Sequence, residues 1–184
     1  DVSVAHVGDQ RFLAAAFLAS ADHDRCAVCV VGANEDAPVP AQLLEADPNV
    51  GLDVFDQMAN VNVHGLEIYY EVHGEGQPFL FFSETACSGE IWKLFQVAEF
   101  SKDHRVIIHD YRGTGQSGKP SIDYTTKMFA EDVIGLLDHL NVDDAIVVGH
   151  SMGGRVAQLL ALDYPQRVRK LVLASTGAYY PLTK

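Results

Sequence analysis

The sequence predicts an α/β fold, a mostly parallel sheet covered by helices on both faces and entered through an antiparallel hairpin. Three observations carry this prediction. Short continuous apolar runs recur at Phe79-Leu80-Phe81-Phe82, Val106-Ile107-Ile108, Ala145-Ile146-Val147-Val148 and Leu171-Val172-Leu173, as expected of parallel strands buried on both faces. Helix-like stretches alternate with them. Ahead of them all, Leu66, Ile68, Tyr70 and Val72 alternate with Glu67, Tyr69 and Glu71, so this segment and Val61 to Val63, joined by His64-Gly65, read as a hairpin with one buried face.

The clearest helix runs from Thr125 to Leu140, where Phe129, Val133, Leu136, Leu137 and Leu140 recur at spacings of three and four to form one apolar stripe. A second covers Met152 to Tyr164, turning Val156, Leu159 and Leu160 toward the sheet, with Pro165 marking its end. Gly89 to Phe100 is a third, weaker helix. The result is an α/β domain over residues 61-184, preceded by an N-terminal segment, residues 1-60, that ends in a Pro- and acid-rich linker from Asn34 to Gly51. Within that segment Gln10 to Ser20 is helix-like and Cys26 to Val31 strand-like; neither suggests a function.

Composition narrows the function classes. A chain of 184 residues with 48% hydrophobic content can fill a real core. Its formal charge of -12 repels phosphate backbones and anionic headgroups, so nucleic acid and membrane are not expected partners. Phe12 to Ala21 is the longest approach to an apolar span, but it is too short to cross a bilayer and lacks the positive leader of a signal peptide. Three dispersed cysteines suit a reducing compartment, and the chain is expected to be cytoplasmic. Cys26-Ala27-Val28-Cys29 has no second ligand pair, so no metal site is expected.

The strongest local signal is Gly149-His150-Ser151-Met152-Gly153-Gly154, a G-x-S-x-G set between an apolar strand and an amphipathic helix. A serine on so tight a turn needs small neighbours, and the turn lifts its hydroxyl above the carboxyl edge of the sheet. The Met152 amide and the positive end of the following helix then face a developing oxyanion. The bland alternative is a serine that merely caps the helix.

These residues, with Asp110-Tyr111-Arg112-Gly113-Thr114-Gly115-Gln116-Ser117, Tyr164-Pro165 and Val168 to Ser175, resemble the α/β-hydrolase family. The resemblance is to its compact esterase, enol-lactonase and carbon-carbon hydrolase group, over about the first half of the family's domain. It implies a sheet of α/β-hydrolase type truncated after about the sixth strand, a serine nucleophile at Ser151 and a small carbonyl substrate such as an ester or lactone, with no cofactor. Asp110 and Arg112 are implied to hold their loop. Where the family has His-Gly after its third strand, this chain has Ser83-Glu84, which makes the Thr85 amide the candidate second oxyanion donor. Glu84 is then a carboxylate close to a site that must hold negative charge.

The family's order of serine, acid, histidine requires both partners to follow Ser151. No histidine follows it, and Asp163 is the only later carboxylate. An acid and a histidine beyond Lys184 would complete the triad. His150 is too close in the turn to serve as base, and His109 reads as a packed or edge histidine.

Two other readings remain. A non-catalytic truncated module would leave the strand at 171-173 as an open edge and self-associate through it. A nucleotide-binding domain is suggested by Gly113-Thr-Gly115-Gln-Ser-Gly118-Lys119, but Pro120 stands where a phosphate loop needs a hydroxyl and an opening helix.

Overall fold

A computed structural model describes residues 28–31 and 57–178. The expected helix at Gln10 to Ser20, Cys26 and the linker from Asn34 lie outside the described residues. Among the described residues seven strands form one sheet in the order β1-β7-β6-β4-β5-β3-β2. They are β1 (Val28–Val31), β2 (Gln57–Val63), β3 (Leu66–His73), β4 (Gln77–Phe82), β5 (His104–His109), β6 (Ala145–His150) and β7 (Val168–Ala174). β2 and β3 are antiparallel, β3 meets β5 antiparallel, and the pairs β4–β5, β4–β6, β6–β7 and β1–β7 are parallel. The expected six strands all form, and β2 begins at Gln57, four residues earlier than the sequence pattern suggests.

The hairpin turn is made by His64 and Gly65 with φ of 53° and 83°, left-handed values that match the twist of a two-residue connection. Along β4 and its neighbours successive side chains go to opposite faces. Leu80, Phe82, Ile107, Val147, Leu171 and Leu173 pack in one core with helices α1 (Thr126–His139) and α2 (Met152–Asp163). Phe79, Phe81, Val106, Ile108, Ile146 and Val148 pack in the other with Trp92 and Val97. This double burial is why the strands read as unbroken apolar runs.

α1 starts where its cap dictates, the Thr125 hydroxyl accepting from the Met128 amide at 3.2 Å. The third helix differs from expectation: Gly89 to Phe100 is a 3₁₀ turn at Gly89–Trp92, a π turn at Lys93–Val97 and an α turn at Ala98–Phe100.

Two expectations are corrected. The polar face of β3 is solvated only toward its start, at Glu67, since Glu71 and His73 are buried. Lys93 at 2.7 Å, His73 Nε2 at 2.9 Å and the Tyr69 hydroxyl at 2.8 Å surround the Glu71 carboxylate. Burial pushes the Glu71 pKa up, but the bonds from Lys93, Tyr69 and His73 outweigh it and hold the pKa below its ordinary value. The second correction concerns β7, expected as an open edge. Val28–Val31 pairs along it from Leu171 to Ala174, because the edge of a parallel strand offers unpaired amides that another strand satisfies.

Candidate functional site

Ser151 stands at the carboxyl end of β6 with φ 53° and ψ -117°. A side-chain-bearing residue pays a steric cost there, and such outliers persist only where their surroundings enforce them. Here the enforcing contacts are specific. A Cβ on Gly149 would lie 2.6 Å from the Gly153 carbonyl oxygen, one on Gly153 would lie 2.4 Å from that of Phe82, and one on Gly154 would lie 2.5 Å from the Thr176 side chain. The Gly153 contact brings the first turn of α2 onto the end of β4, the Gly149 contact brings the end of β6 against that same turn, and the Gly154 contact seats the Thr176 side chain on it.

β7 fixes the turn from the other side. The Ser151 amide donates to the Ala174 carbonyl at 3.0 Å, and the Thr176 hydroxyl donates to the Ser151 carbonyl at 2.6 Å. Thr176 is a residue that sequence reasoning missed. The Ser151 side chain does not cap α2, which removes the bland reading of the motif. No described residue hydrogen-bonds its hydroxyl, and Met152 opens the helix immediately after it. The helix carries no acidic residue in its first turn, leaving the positive end of its dipole uncompensated.

The loop after β4 adjoins this turn. Ser83 is buried and anchored three ways: its carbonyl accepts from the Tyr111 hydroxyl at 3.2 Å, its hydroxyl accepts from Trp92 Nε1 at 3.1 Å, and that hydroxyl donates to the Ser88 carbonyl at 3.2 Å. Glu84 does not simply point to solvent. Its Oε2 lies 3.1 Å from His150 Nδ1, so the carboxylate ties the β4 loop to the serine turn. Thr85 follows it, exposed. The candidate residues Gly149, His150, Ser151, Met152, Gly153 and Gly154 therefore form one corner, with Thr85 on the loop beside it.

Asp110 and Arg112 hold their loop as expected. Asp110 accepts from the amides of Gly89 at 2.8 Å and Gln116 at 2.7 Å, while Arg112 forms a two-pronged pair with Asp132 at 2.7 and 2.6 Å. The glycine-rich segment after it is not a phosphate cradle. Its amides turn inward, Gly113 to Gly118, Thr114 to Tyr111, Ser117 to Thr114 and Gly118 to Glu67, and Lys119 donates to the carbonyls of Gly115 and Ser117. Among the described residues, no group of three or more His, Cys, Asp or Glu side chains gathers as metal ligands.

No described histidine reaches Ser151 as a base. His150 faces Glu84. His109 is buried between Phe82 and Tyr111, with neither ring nitrogen bonded. Burial lowers its pKa from 6.5 to about 4. Asp163 is exposed at the end of α2.

Comparison with known proteins agrees with this architecture. Residues 72–183 match the model of the alpha/beta hydrolase fold family. The 3-oxoadipate enol-lactonase 2 of Acinetobacter baylyi is 33% identical over 129 residues, which cover 69% of this chain and 48% of that protein. The 2-hydroxymuconate semialdehyde hydrolase of Pseudomonas sp. strain CF600 is 30% identical over 141 residues, covering 74% of this chain and 47% of that protein. Among solved structures, Est816, described as an N-acyl homoserine lactone degrading enzyme, superposes with a TM-score of 0.63 at 42% identity, over 65% of this chain and 46% of Est816. The chain spans about half the length of the curated relatives it matches. On the sheet order, the serine corner and the family match together, the chain belongs to the alpha/beta hydrolase fold family.

Proposed function

We propose that this chain carries the nucleophile half of a serine hydrolase acting on a carboxylic ester, lactone or related carbon-carbon bond through an acyl-enzyme. The single observation behind this reading is Ser151, held at φ 53° and ψ -117° with a hydroxyl that neither caps α2 nor bonds a described neighbour. A serine kept in a costly conformation with its hydroxyl free is arranged for reaction rather than for stability.

Ser151 Oγ attacks the carbonyl carbon. The Met152 and Thr85 amides receive the oxyanion, with the uncompensated helix end behind the first of them. The hydroxyl proton needs an imidazole, and the histidine and its acid are supplied by protein beyond these 184 residues, in line with the half-length match to relatives. The names of those relatives favour small carbonyl substrates. An acidic chain with three dispersed cysteines suits a cytoplasmic enzyme with no nucleic-acid partner.

Fluorophosphonate labelling of the full-length protein, mapped by peptide mass spectrometry, tests the reading. Modification at Ser151 that vanishes in Ser151→Ala supports it. Equal labelling of the Ser151→Ala variant, or modification at another residue only, overturns it.

A further inference from the structure

The backbone of Ser151 is held on both sides by the end of β7 and the residues just past it. Its amide donates to the Ala174 carbonyl at 3.0 Å, and its carbonyl accepts from the Thr176 hydroxyl at 2.6 Å. Ser175, between these two anchors, takes a left-handed φ of 47°, a costly step for a side-chain-bearing residue. Across that step Ala174 and Thr176 reach the same partner.

The Thr176 hydroxyl has one proton and two carbonyls within reach, that of Ser151 at 2.6 Å and that of Gly177 at 3.3 Å. The Gly177 carbonyl already accepts from Gln158 Nε2 at 2.9 Å, so the proton goes to the nearer Ser151. The approach depends on Gly154, where a Cβ would lie 2.5 Å from the Thr176 Cβ.

The Ser151 carbonyl and the Met152 amide are the two ends of one peptide group. Such a group is planar and trans, so its N–H points opposite to its C=O. The Gly154 amide donates to the same carbonyl at 3.1 Å, which turns the carbonyl along α2 and the Met152 N–H out of the first turn. A single donor leaves the plane able to rock about that bond, and the second donor, reaching across from the β7 side, stops it. A short bond to the carbonyl also polarises the amide at the other end of the group.

Building on the serine-hydrolase reading, we propose that Thr176 is a positioning residue that sets the direction of the Met152 N–H, which that reading gives to the oxyanion. Losing an oxyanion donor outright costs about 10²–10³ in rate, and a loosened one is expected to cost about tenfold.

Two probes separate this role from packing: a fluorophosphonate, and its thiono counterpart in which sulfur replaces the oxygen that would occupy the oxyanion position. Each bonds its phosphorus to Ser151 Oγ with loss of hydrogen fluoride, and sulfur is the weaker acceptor of amide hydrogen bonds. Labelling rates of the full-length protein are followed by mass spectrometry of the peptide containing Ser151. Partial misfolding slows both probes alike, so the ratio of oxygen to sulfur rates reports the amide. Thr176→Val, which keeps the shape without the hydroxyl, and Thr176→Ala, which cannot crowd Gly154, are both expected to lower the ratio about tenfold. Thr176→Ser restores the hydroxyl and is expected to stay within about twofold of the native ratio. A native ratio in either variant without the hydroxyl, or an equal loss in Thr176→Ser, overturns the positioning role and leaves the Ser151 assignment standing. Absence of labelling at Ser151 in the native protein overturns both.

Discussion

A Cβ on Gly153 would lie 2.4 Å from the Phe82 carbonyl oxygen, and nothing on the strand side can yield because the obstacle is backbone. The first turn of α2 therefore meets β4 closely only with glycine at 153. Gly153→Ala is expected to lower unfolding stability by about 2 kcal/mol through forced backbone displacement, and to abolish labelling at Ser151. Urea denaturation and mass spectrometry measure the two effects. An alanine variant as stable and as reactive as the native protein would show that the approach is looser than described.

The buried pair of Arg112 and Asp132 links the loop after β5 to α1, with side-chain exposures of 12% and 3%. Removing one partner strands the other charge. Asp132→Ala is expected to cost about 3 kcal/mol, read as a lower denaturation midpoint at unchanged slope. A change of a few tenths would mean that solvent already shares the pair.

Acidification should destabilise the protein in two stages. His109 has its pKa lowered to about 4 by burial from an ordinary 6.5, so the unfolded chain takes up its proton first. The stability it contributes is complete above about 6.5 and is lost as pH falls toward 4, at a limiting slope of about 1.4 kcal/mol per pH unit. Glu71, whose pKa is depressed below 4.5, contributes stability above that ordinary value which disappears at still lower pH. His109→Leu removes the first stage and leaves the second. Denaturation curves between neutral pH and about pH 4 decide this, and a first stage that persists in His109→Leu would assign it to another group.

β1 gives β7 its outer neighbour, with Val30 opposite Leu173. Val30→Pro deletes a strand amide and is expected to release β1, exposing β7 to pairing between molecules. Light scattering should detect a concentration-dependent rise in mass for the variant. A monomeric Val30→Pro protein would mean that β1 is not what keeps this edge closed.

How much of this the sequence discloses follows the range of the interactions. The apolar runs of β4 to β7 and the turn from Gly149 to Gly154 are set by neighbours in the chain, and form as the residue pattern implies. The three glycines of the corner are readable in advance because each answers a steric demand. Glu71 is not, since an acid alternating with apolar residues looks solvated until Lys93, His73 and Tyr69 come round it. Nor is the pairing of β1, which reads as a strand but whose partner lies far along the chain. Thr176 is hidden for the same reason: its hydroxyl matters only once β7 lies beside the serine turn. The tie between Glu84 and His150 joins two loops that share no sequence signal.

Ser151 is held in a backbone conformation that side-chain-bearing residues avoid. Comparing the unfolding free energies of Ser151→Gly and Ser151→Ala tests this most directly, since both lack the hydroxyl and differ only in tolerance of positive φ. At an ordinary position glycine is the less stable by roughly 0.5–1 kcal/mol. Here the glycine variant should be the more stable by about 1 kcal/mol; a glycine variant less stable than the alanine one would contradict the strained corner.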